Sequence, residues 1–171
     1  RMSKVVRTGI AASKISLQKA GIEKPDAISI GTAMGCLQDT EVFLTKMVEQ
    51  DEQMLTPTAF IQSTHNTVSG QIALLCGCNG HNLTFVQRGH SFEHALINAE
   101  LYLQDHPGES MLVGGIDELT DNSFKALSKA GIYSNDTIAG EGAGFFIASD
   151  QPNTGKNILV NDLLCFTAKN I

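Results

Sequence analysis

The stretch Thr84–Glu100, TFVQRGHSFEHALINAE, holds the residues best placed to do chemistry. It reads as a strand, a sharp turn and a helix, with Gly89-His90-Ser91 at the turn. A hydroxyl on such a turn can be presented as a nucleophile. Ser91 fails the further requirements. The position two residues on should be small, so that helix and strand approach, and it is Glu93. A triad also needs a later acid and then a histidine. The later histidines are His94, in the same helix, and His106, at its end, and neither can swing back. The sequence therefore reads Ser91 as a helix cap, with Glu93 and His94 in the first turn.

Metal and phosphate chemistry fare no better. His90 and His94 stand four apart on one helical face, but no third ligand is evident. Cys76-Gly77-Cys78 is C-x-C rather than C-x-x-C, and no histidine pairs with a cysteine at ligand spacing. Cys36, Cys76, Cys78 and Cys165 read as small buried hydrophobes in a reducing cytoplasm. No metal or cofactor is expected. GGID lacks the lysine of a phosphate loop. GEGAG precedes a strand rather than a helix, the wrong order for a dinucleotide fingerprint.

The elements that must position these residues follow from periodicity. Val5–Ala20 reads as an amphipathic helix stopped by Gly21, and Ala27–Gly31 as a short buried strand. Asp39–Gln50 reads as a second helix with Asp39 or Thr40 as its cap. Pro57 breaks the chain before an irregular segment, and residues 63–77 form a third helix. Leu83–Gln87 is a strand, Ser91–Leu103 a fourth helix and Ser110–Gly115 a buried strand. Gly140–Asp150 is a glycine-rich turn feeding a strand. Residues 156–168 are a last strand, expected to form an antiparallel hairpin with it. The alternation predicts an α/β fold, a largely parallel sheet covered on both faces.

Bulk composition sets outer bounds. A chain of 171 residues with 42% hydrophobic and 18% charged residues supports one domain with a real core. A net charge of -6 argues against nucleic acid as a partner. No apolar run approaches the ~18 residues of a membrane span. The start, Arg1-Met2-Ser3-Lys4, lacks the apolar core of a secretory signal, and a chain opening on Arg is compatible with a piece of a longer protein.

Five motifs in order carry a resemblance: GTAMGCLQDTEVF, TPTAFIQSTHNTVSGQIALLCGCNGHNLTF, the helix from Ser91, MLVGGIDE and GEGAGFFIAS. Together they closely resemble the N-terminal half of β-ketoacyl-ACP synthases, the thiolase-fold condensing enzymes of fatty-acid and polyketide (polyene) synthesis. The resemblance runs from about Val5 to about Thr167 and makes residues 1–171 a single half-domain. It implies a mixed, mostly parallel sheet of about five strands with helices on both faces. It also implies a first strand upstream of Arg1, and a second half outside this sequence. The segment between Glu118 and Gly140 is shorter than is usual in the family.

In that family a cysteine occupies the tight turn, in a context like Thr-Ala-Cys. Alignment through His94-Ala95 and Gly114-Gly115 places Gln87-Arg88-Gly89 there, so the nucleophile position is Gly89. Glycine has nothing to acylate, and His90 and Ser91 are the remaining catalytic candidates. The resemblance implies substrate contacts at Gln87, Arg88, Gly89, Thr64 and Asn66. Structural glycines are implied at Gly114, Gly115, Gly140, Gly142 and Gly144, and a dimer strand at Leu83, Thr84, Phe85 and Val86. Arg88, expected in a buried turn, would need an anionic partner among Glu93, Asp117 and Glu118.

The expected function is a non-catalytic subunit resembling the chain-length factors. It would form a homodimer, or a heterodimer with an active ketosynthase, and contact an acyl carrier protein or an acyl chain. The alternatives are an acyltransferase using non-standard residues or a partner's histidines, and a module kept for assembly only.

Overall fold

The computed structural model describes residues 2–133, 136, 138–152, 158–160 and 163. The chain runs α1 (Lys4–Ala20), β1 (Ala27–Gly31), α2 (Leu37–Glu49), α3 (Pro57–Ser63), α4 (Thr67–Cys76) and β2 (Asn82–Phe85). A 3-10 turn (Arg88–His90) then leads to α5 (Ser91–Asp105), β3 (Ser110–Asp117), α6 (Asp121–Lys129) and β4 (Gly142–Ser149). The sheet order is β2-β1-β3-β4. β1 lies parallel to both β2 and β3, while β4 runs antiparallel to β3. Among the described residues the sheet thus has four strands rather than about five, and it is mixed and mostly parallel as expected.

Both faces of the sheet are covered, and β1 shows how. All five of its residues are buried. Ile28 and Ile30 point into a core with Val5, Val6, Leu17, Val68 and Ile72 from α1 and α4. The alternate residues, Ala27, Ser29 and Gly31, are small and face α5. Small side chains there let α5 lie close, with Ala95 and Ala99 packed on Met111 and Val113 of β3. Ser29, fully buried, is satisfied by donating to the Ala95 carbonyl (3.0 Å).

Several boundaries differ from the sequence reading for local reasons. Pro57 opens α3 instead of breaking the chain, because a first-turn proline forfeits no helical hydrogen bond. α4 begins at Thr67, not near Ser63. α2 begins at Leu37 without a side-chain cap of its own. Its first-turn Gln38 N–H donates to Glu118 instead (3.0 Å). α6 escaped the reading; Thr120 and Ser123 form its reciprocal cap, with serine where glutamate or glutamine usually signals the motif. β2 ends at Phe85, two residues early, because the Gln87 N–H is taken by Ser91.

Gly142 and Gly144 are not in a turn: they are strand residues of β4, opposite Asp117 and Gly115. Gly114 is required by packing, since a Cβ there would sit 2.2 Å from the Phe145 ring. The last strand expected over 156–168, and its hairpin, fall mostly outside the described residues; residues 158–160 are described and belong to no strand.

Candidate functional site

The C-terminal ends of β1 and β2 and the start of α5 converge at residues 86–91. Gly31 ends β1, and a Cβ on it would lie 2.5 Å from the carbonyl carbon and oxygen of Ser91. Glycine at 31 therefore lets the first turn of α5 rest directly on the strand. Ser91 is buried, and its hydroxyl donates to the Arg88 carbonyl (2.7 Å) while accepting from the Gln87 N–H (2.8 Å). Both bonds point back into the turn. Ser91 is thus the first residue of α5 and a clasp on the turn, rather than a cap on the helix that follows. Its hydroxyl is engaged at both ends and faces no open space.

The turn that Ser91 clasps is strained. Arg88 has φ 53, the left-handed region that costs a side-chain-bearing residue about 1–2 kcal/mol. Its side chain is exposed, not buried as expected, and it makes no ion pair among the described residues. The three proposed partners are otherwise placed. Asp117 accepts from Thr32 Oγ1 (3.2 Å) and the Ala33 N–H (2.7 Å). Glu118 receives the N-terminus of α2, and Glu93 buries Oε2 without a partner. Gly89 follows Arg88, is exposed, and has nothing within 4 Å of where a Cβ would stand. His90 is half-buried, and His94 stacks on Phe85 with ring centroids 6.3 Å apart.

The rest of the predicted set lies around this turn or away from it. Thr84 of β2 bonds Ser69 of α4 (2.8 Å), and Asn82 donates to the Ser69 carbonyl (3.2 Å), so α4 is tied to β2. Thr64 and Asn66 precede α4, where Thr64 Oγ1 is used within its own turn by Ile61 and Thr67 and Asn66 is exposed. Burial pushes the Cys36 thiol up to about 12, with Glu118 and Asp39 adding to the effect, so it is no thiolate nucleophile. Burial likewise raises Cys78. Cys165 lies outside the described residues. Among the described residues no group of three or more His, Cys, Asp or Glu could hold a metal ion.

Sequence reasoning missed two features of the site. One is Gly31, whose only signal was a glycine closing an apolar strand. The other is the Asp117-Glu118 pair at the end of β3, which clamps residues 32–38 through the bonds above, while the Gly35 N–H donates to Thr32 Oγ1 (3.0 Å) within that segment.

The family model for the β-ketoacyl synthase N-terminal domain matches residues 1–150. No protein of the curated set matches the sequence. Among solved structures, the ketosynthase ApeO in complex with its chain length factor ApeC from Xenorhabdus doucetiae matches at TM-score 0.70 and 17% identity, over 90% of this chain and 60% of that one. A β-ketoacyl synthase from Burkholderia phymatum matches at TM-score 0.73 and 19% identity, over 85% of this chain and 42% of that one. The assembly AntDE:AntF, a type II polyketide synthase acyl-carrier protein in complex with its ketosynthase bound to the hexaketide, matches at TM-score 0.72 and 19% identity, over 85% and 46%. The fold is therefore that of a ketosynthase half-domain, and the chain spans between 42% and 60% of the length of these solved chains.

Proposed function

The chain belongs to the β-ketoacyl synthase N-terminal-domain family, and from that premise we infer that it is a non-catalytic ketosynthase-like subunit. In this reading it pairs with an active ketosynthase of fatty-acid or polyketide synthesis and shapes the acyl site, as a chain-length factor would. The observation that carries the reading is Gly89. The frame of an acyl-transfer turn is present: Gly31 admits the helix, Ser91 clasps the turn and Arg88 bears the strain. The residue that should carry the nucleophile has no side chain. Ser91 is committed to backbone bonds, and the described cysteines stand at the start of α2 and around the end of α4.

The partner in this reading meets the chain along β2. Among the described residues that strand is an edge of the sheet with no strand paired on its outer side, and Leu83 and Val86 are exposed beside it. One solved relative is a ketosynthase with its chain length factor, and another holds an acyl-carrier protein, which supports such partners for this chain as well.

Co-expression with an active ketosynthase from the same organism tests the pairing: a stable complex is expected, and separate elution of the two proteins counts against it. Incubation with acyl-CoA and acyl carrier protein followed by intact-mass spectrometry tests the catalytic part. The mass should stay unchanged; an acyl adduct on His90, Ser91 or any cysteine would establish an acyltransferase with non-standard residues instead.

A further inference from the structure

The charge of this chain has one long gap. From Gln53 to Phe92 the sequence holds a single residue of the Asp, Glu, Lys and Arg types, and it is Arg88. That stretch supplies α3, α4, β2 and the turn. These elements are contiguous: α3 packs on α4, and α4 is bonded to β2 through Ser69 and Thr84. Their exposed side chains include Phe60 and Ile61 on α3, and Leu83 and Val86 at β2. A surface that stays open to water normally carries charges of both signs. The centres of protein interfaces lose Lys, Asp and Glu and keep aromatic residues and arginine.

Arg88 stands three residues beyond the end of β2. Its side chain is exposed and makes no ion pair among the described residues. Its backbone is left-handed, with φ 53, although Gly89 beside it could adopt that conformation with little cost and does not. The strain therefore falls on the residue that has a side chain to place. The Ser91 hydroxyl holds the Arg88 carbonyl inside the turn (2.7 Å), which leaves the guanidinium facing outward.

Resting on the reading that a partner pairs along β2, we propose that Arg88 anchors this interface and binds a carboxylate of a partner subunit that is a different protein. A guanidinium covered by an apolar contact must be paired, and its planar fork matches a carboxylate through two hydrogen bonds. A second copy of this chain does not supply that group. In a twofold contact it would bring the same uncharged elements and a second Arg88. Glu93, the next acid in the sequence, has its Oε2 buried. Charge complementarity thus selects a surface that is neutral and apolar over most of the contact, with an Asp or Glu set to receive Arg88.

The test measures, by isothermal titration calorimetry, the Kd of this chain for an active ketosynthase from the same organism. Arg88→Gln and Arg88→Glu should each weaken binding by about tenfold or more. Arg88→Lys should weaken it less, since the ammonium keeps the charge and loses the fork. Arg88→Gly separates binding from folding: it should weaken the complex as Arg88→Gln does, while the thermal midpoint of the isolated chain stays equal or rises as the strain is relieved. A scan of the ketosynthase's surface Asp and Glu residues to Lys should contain one substitution that weakens the unsubstituted chain and restores Arg88→Glu. A complex whose Kd changes by less than about twofold in Arg88→Gln and Arg88→Gly overturns this proposal and leaves the pairing along β2 standing. No complex with the unsubstituted chain overturns both. Self-association of the chain in sedimentation, abolished by Leu83→Lys, would put a second copy on this surface and overturn the proposal as well.

Discussion

Arg88 takes the left-handed conformation that glycine favours, while Gly89 beside it lies outside that region and has open space where a Cβ would stand. Arg88→Gly should therefore stabilise the chain by about 0.5–1 kcal/mol in urea unfolding, the relief of strain less the entropy that glycine loses on folding. Ser91→Ala works in the other direction. It orphans the Gln87 N–H and the clasp on the turn, and a loss of about 1–2 kcal/mol is expected by the same measurement. Gly31→Ala should cost about 3 kcal/mol, because the clash is with backbone of α5 that no rotamer change can relieve. Gly89→Cys tests the register of the turn. A thiol there sits at the N-terminal end of α5, whose dipole favours the thiolate, so it should react with iodoacetamide at pH 7 faster than a cysteine in an unstructured peptide. Ser91 stood out in the sequence because its type and spacing mark a turn. The direction of its bonds did not, because a hydroxyl can turn either toward the helix or back toward the strand.

The start of α2 rests on a group from another element. Burial raises the Glu118 carboxyl, and Asp39 and Glu141 add repulsion, while the Gln38 N–H it accepts opposes them. A carboxyl raised on folding holds its proton more tightly in the native chain. Stability therefore grows as pH falls through the window above the ordinary 4.5 and shrinks as pH rises through it. Glu141 acts oppositely: Lys4 lowers its carboxyl, so its contribution is present above 4.5 and is lost as pH falls below that value. Thermal unfolding across this range should show Glu118→Gln flattening only the upper window, with an effect at pH 7 of about 0.5 kcal/mol at most, since the group is half-exposed and screened. An unchanged profile would mean the carboxylate is not held as described. Elements with a full apolar period, such as α1 and β1, were legible in the sequence. α3 and α6 were not, because seven and nine residues give too few turns for a period to stand out and their starts depend on Pro57 and Thr120. The cap of α2 was illegible for a different reason: Glu118 lies 80 residues from the N–H it accepts.

At the scale of the whole molecule, the alternation of apolar runs was enough to give a mostly parallel sheet covered on both faces. The order β2-β1-β3-β4 was not readable, because periodicity says that a strand is buried and not which strands lie beside it. That order leaves β2, four residues long, at one edge and places the turn at its C-terminal end. An association along β2 would thus bring a partner next to Gln87, Arg88 and Gly89, so pairing and the shaping of an acyl site become consequences of one contact. Leu83 is the residue that separates this from other modes of assembly. It sits on the edge strand, 43% exposed. A lysine there places a charge on an edge that pairing would bury, while the isolated fold should change by no more than about 0.5 kcal/mol. Leu83→Lys should therefore abolish co-purification with the ketosynthase and leave the thermal midpoint of the isolated chain nearly unchanged. If the complex survives this substitution, the partner does not meet the chain along β2, and the turn at Gly89 would have to be reached from another side.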